Sequence, residues 1–108
     1  PAFEDMEIFT VFLSGSSVKI PSEFVLNRAY PNPFNPSTTI DFGVPKDGDI
    51  NLSIYDVNGR LAEVIESSFI SAGYYQRVWS ASSYPSGVYI IRMSATGFNS
   101  TQKIVLIK

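Results

Sequence analysis

The chain predicts an all-β fold, an antiparallel β-sandwich of about seven strands. Segments rich in β-branched and aromatic residues follow one another at the spacing expected of a sandwich. No segment keeps apolar i, i+3, i+4 spacing for more than two turns. Asp47-Gly48, Asn58-Gly59 and Pro85-Ser86-Gly87 punctuate the chain with tight-turn chemistry.

Residues 8–13 (IFTVFL) read as a first strand, followed by the Ser14-Gly15-Ser16-Ser17 joint. Residues 37–44 form the next strand, which Pro45 stops. Residues 46–49 then make a hairpin turn. Residues 50–57 alternate cleanly, with Ile50, Leu52 and Ile54 on one face and Asn51, Ser53 and Tyr55 on the other. Asn58-Gly59 is the strongest hairpin signal in the chain. Residues 60–67 return; Val64, Ile65 and Phe69 favour strand over helix there. Ser71-Ala72-Gly73 breaks the run. Residues 74–80, 87–95 and 100–107 complete the set.

At 108 residues, the chain is predicted to hold one sandwich domain over residues 21–108. Residues 1–20 are predicted to be a strand and linker from an upstream region. It begins at Pro1, and we read it as a piece of a longer protein. Eight basic and ten acidic residues give a net charge of −2, with no dense basic patch, so nucleic acid is not an expected partner. Histidine and cysteine are absent, which removes Ser-His-Asp and Cys-His nucleophiles and the usual zinc sites. Asp41, Asp47, Asp49 and Asp56 are the remaining acid–base candidates, but three of them sit beside turns, where Asp bonds local backbone. We therefore expect no enzyme activity and no cofactor. Asp56-Val57-Asn58-Gly59 resembles the start of a Ca²⁺ loop, yet lacks the closing acidic ligand; a hairpin turn explains it more simply.

Residues 30–40 (YPNPFNPSTTI) form the most distinctive run. Pro31, Pro33 and Pro36 forbid a helix and stiffen the residues before them into extended geometry. Tyr30 and Phe34 are expected to be buried and to pin this lead-in to the sandwich. Tyr74, Tyr75, Trp79 and Tyr84 offer an alternative, a carbohydrate-binding face. Tyr74 and Tyr75 point to opposite faces, however, and Trp79 is expected in the core. Arg77 shares the face of Trp79, so it must snorkel, stack on an aromatic ring or sit at a bulge. The final strand is bracketed by Lys103 and Lys108. Residues 103–108 are expected to present an exposed edge for β-augmentation.

Five blocks together carry a family resemblance: residues 30–40, 52–61 (LSIYDVNGRL), 72–79 (AGYYQRVW), 86–93 (SGVYIIRM) and 101–108 (TQKIVLIK). From residue 21 to 108 the chain resembles the C-terminal sorting domain of the type IX secretion system of Bacteroidetes. It is also similar to the Ig-like domain of the flagellar hook-capping protein. The resemblance implies an Ig-like sandwich that is a non-catalytic signal for an upstream cargo. It implies the type IX machinery and its surface peptidase as partners. The cargo then passes the periplasm and reaches the cell surface or the medium. The family's positions fall on Pro31, Asn32, Pro33, Gly59, Gly73, Gly87, Tyr89 and Lys103, and we add Lys108 to the recognised set. Arg77 and Ser80 depart from the pattern, which places an apolar residue and Asp there. A purely structural Ig-like spacer is a further alternative.

Overall fold

A computed structural model of the chain describes residues 20–108. Within them lie β1 (Val25–Leu26), β2 (Ser37–Val44), β3 (Gly48–Asp56), β4 (Leu61–Ile70), β5 (Gly73–Ser80), β6 (Gly87–Ala95) and β7 (Phe98–Leu106). They form two antiparallel sheets, ordered β1-β2-β5 and β4-β3-β6-β7. The expected sandwich is therefore present, and its strands beyond residue 36 match the sequence reading to within a few residues. The predicted strand at residues 8–13 and its joint lie outside the described residues. The short strand β1, which the sequence reading omitted, pairs with Gly43 and Phe42 of β2. A Cβ on Gly43 would come within 2.9 Å of both Pro21 and Val25, so this close approach requires glycine.

Alternation decides the packing. Ile40, Phe42 and Val44 from β2 meet Ile50, Leu52 and Ile54 from β3 between the sheets. Ile91 and Met93 from β6 and Ile104 and Leu106 from β7 fill the same layer. Trp79 is 1% exposed and touches the rings of Phe34, Tyr84 and Tyr89. At the β3–β4 hairpin Gly59 has φ 81°, the left-handed conformation that the tight turn needs. Asp56 Oδ1 accepts hydrogen bonds there from the main-chain N–H of Asn58 and Arg60. Those bonds hold its carboxyl below the ordinary carboxylate value; the Arg60 N–H contributes most. The loop that resembled a calcium site is a hairpin turn, its carboxylate engaged by local backbone.

Candidate functional site

A sandwich has two open sides, where the edges of its sheets face each other. On one, β1 faces β7. The Pro-rich lead-in runs along this side and changes sheet as it goes. At Tyr30 it pairs with Thr39 of β2, the two N–H groups bonding the opposite carbonyls at 3.0 and 2.8 Å. At Phe34 it pairs in parallel with Leu106 of β7. Phe34 N–H donates to the Val105 carbonyl, and Ile107 N–H donates to the Phe34 carbonyl, both at 2.9 Å. Between these points the Asn32 carboxamide makes a two-way bridge to the last strand. Its Nδ2 donates to the Lys103 carbonyl at 3.1 Å and its Oδ1 accepts from Val105 N–H at 3.0 Å. Gln102 reaches back from β7 in the same manner, donating to the Asn27 carbonyl and accepting from Ala29 N–H. Proline suits this path because no ladder N–H is required there, but the expected extended geometry is not observed: the chain bends at residues 31–33 and again at 35–36, between and after its two pairing points.

These contacts correct two expectations. Phe34 is buried at 2% exposure, but Tyr30 is half exposed. Register is the reason: Tyr30 pairs with Thr39, whose side chain faces outward, and so lies on the outer surface of the three-stranded sheet. There its hydroxyl donates to Asp41 Oδ2 at 2.9 Å, a hydrogen bond that raises the phenol's pKa above its ordinary value. Tyr30 thus anchors the lead-in through backbone pairing and a surface hydrogen bond. The second correction concerns the edge at residues 103–108. It is not free: Asn32 and Phe34 already occupy the outward groups of Val105, Ile107 and the Lys103 carbonyl.

The other singled-out residues divide by place. Pro31, Asn32 and Pro33 are exposed and lie beside exposed Lys103. Lys108 is tied down instead: its ammonium donates to the carbonyls of Ser82 and Tyr84 at 2.7 and 3.0 Å. Gly87 opens β6 opposite Leu106, near the same end. Tyr89 is buried, and its hydroxyl donates to the Pro85 carbonyl at 2.6 Å, the tyrosine-corner arrangement of Ig-like sandwiches. Gly73 stands apart, opposite Val44 at the far end of β2. The seam thus unites Pro31, Asn32, Pro33 and Lys103, with Gly87, Tyr89 and Lys108 around its end.

On the opposite open side β4 faces β5, and side chains close the gap. Arg77 Nε donates to Glu66 Oε1 at 2.9 Å while the guanidinium lies 5.5 Å from the Tyr75 ring and 5.9 Å from that of Phe42. Arg77 therefore stacks, one of the three routes open to it. Its acidic partner was missed. Trp79 Nε1 donates to Glu63 Oε1 at 3.0 Å, and Tyr84 donates to the same oxygen and to the Ala62 carbonyl. Glu66 accepts from Ser68 Oγ and from Arg77, which together hold its carboxyl below the ordinary value. The proposed sugar platform does not assemble. Trp79 is buried, Tyr84 packs on it, Tyr75 stacks on Phe42 at 5.4 Å, and only Tyr74 of the four is exposed. Three of the four candidate acids are likewise engaged: Asp41 accepts from Tyr30, Asp47 accepts from Ala72 N–H at 2.8 Å, and Asp56 accepts from the hairpin backbone.

Comparison with curated proteins finds no match. A family model described as the secretion system C-terminal sorting domain matches residues 28–108, from the start of the lead-in to the last residue of the chain. With its blocks, its sandwich and its seam in place, the chain belongs to the type IX secretion C-terminal sorting domain family.

Proposed function

We propose that residues 21–108 are a non-catalytic signal that routes an upstream cargo on the same polypeptide through the type IX system. Residues 1–20 then belong to the region that joins cargo to signal. The cargo crosses the periplasm and reaches the cell surface or the medium, with the secretion machinery and its surface peptidase as partners. One observation carries this reading: the family match begins beside the lead-in and ends with the last strand, the two segments that the seam stitches together. A receptor that reads this surface meets Pro31, Asn32, Pro33 and Lys103 as one exposed patch. Gly73, Gly87, Tyr89 and Lys108 serve that surface by shaping the sandwich that carries it.

The test fuses residues 21–108 to an exported reporter in a bacterium with a type IX system. The reporter is expected at the surface or in the medium. Deleting residues 103–108 is expected to leave it in the periplasm, but the deletion also removes Ile104 and Leu106 from the core. Lys103→Glu is the cleaner variant, because Lys103 is exposed. A reporter that exports normally with the whole domain deleted sinks the proposal.

A further inference from the structure

The lead-in occupies only the C-terminal half of the β7 edge. Main-chain groups of alternate residues in a strand face the same side. Val105 and Ile107 face the lead-in, so Lys103 and Thr101 face the same way. Asn32 takes the Lys103 carbonyl. The Lys103 N–H and both main-chain groups of Thr101 have no partner among the described residues. They open on a cleft of about 500 Å³ lined by Leu26, Arg28, Asn32, Thr101, Gln102 and Lys103. Arg28 and Lys103 are exposed, and neither forms an ion pair among the described residues. The same edge already pairs with a second stretch of backbone two residues further on, at Phe34.

We propose that the cleft takes an extended acidic peptide from a partner protein, added as a strand along Thr101 and Lys103. Its main chain bonds the Lys103 N–H and the main-chain groups of Thr101, and its carboxylates pair with Arg28 and Lys103. Backbone pairing supplies the affinity and the two cations supply the choice of an acidic sequence. This inference stands apart from the sorting reading, because it concerns binding by the isolated chain. The competing role for Lys103 is to repel other strands from an open edge.

The experiment titrates the ¹⁵N-labelled 108-residue chain with a short blocked peptide of alternating Glu and Val, and with a Lys and Val control. Saturable shifts at the Thr101 and Lys103 amides are expected with the acidic peptide alone. Binding is expected to weaken with added salt, as it does between exposed charges. Arg28→Glu combined with Lys103→Glu is expected to weaken it about tenfold or more, with the rest of the spectrum unchanged because both positions are exposed. No shift at the two amides, equal shifts with the basic peptide, or full affinity after charge reversal would each overturn the proposal.

Discussion

The two open sides of the sandwich are closed by different chemistry. Where β1 faces β7, main chain and carboxamides do the work: Tyr30 to Thr39, Phe34 to Val105 and Ile107, Asn32 and Gln102 across the gap. Where β4 faces β5, charged and aromatic side chains do it: Arg77 to Glu66, and Trp79 and Tyr84 to Glu63. Main-chain bonds fix register, and they respond little to pH or salt. Ion pairs tolerate movement but depend on protonation and screening. A closure built on the last strand also ties residues 103–107 to the lead-in.

The β1–β7 side is most readily opened at Phe34. Phe34→Ala removes a fully buried ring packed on Trp79, and a loss of about 3–5 kcal/mol is expected. Urea unfolding checks this; a change below about 1 kcal/mol would mean that the ring is not what seats the lead-in. Asn32→Ala deletes both arms of the carboxamide bridge and is expected to cost about 1–3 kcal/mol. In amide hydrogen exchange, Val105 N–H is expected to lose protection in this variant while the β3–β6 amides keep theirs. Uniform loss would show that the seam does not open locally.

On the other side the effects are smaller and depend on pH. Glu66 sits below its ordinary value of 4.5. A depressed carboxyl contributes stability that is fully present above its unfolded pKa and lost as pH falls through its folded pKa. Stability is therefore expected to decline below about pH 4.5, with Asp56, also depressed, adding to the decline. Glu66→Gln is expected to cost about 0.2–1 kcal/mol at neutral pH and to make the acid limb shallower. An unchanged acid limb would remove Glu66 from this role. Tyr30→Phe marks the small end, since the hydrogen bond to Asp41 is exposed. A change in Tm too small to separate from wild type is expected; a large drop would restore Tyr30 as a main anchor.

Much of this fold was legible. Alternation at Ile50, Leu52 and Ile54 and the Asn58-Gly59 turn set β3 and its hairpin, and the buried Trp79 followed from its sandwich context. The seam was not legible, because it joins residues some seventy positions apart, such as Asn32 and Lys103. Prolines exclude a helix there but carry no information about where the chain bends or which sheet it follows. β1 spans two half-buried residues, too short for any pattern to register. The acidic partners of Arg77 and Trp79 were hidden by a bulge. Strict alternation puts Glu63 and Glu66 on opposite faces. A register shift between Leu52 and Ser53 sets Glu66 opposite Leu52 and Glu63 opposite Ile54, so both reach the strand that carries Arg77 and Trp79.

The direct test of the seam as the recognised feature is a paired export measurement. One reporter carries the domain with Asn32→Ala, and another carries it with Arg77 or Glu66 replaced so that the two lose equal stability in urea. If the seam is what the secretion machinery reads, the Asn32→Ala reporter stays in the periplasm while the reporter altered on the β4–β5 side reaches the surface or the medium. Equal export of the two, or retention of the second alone, would contradict it.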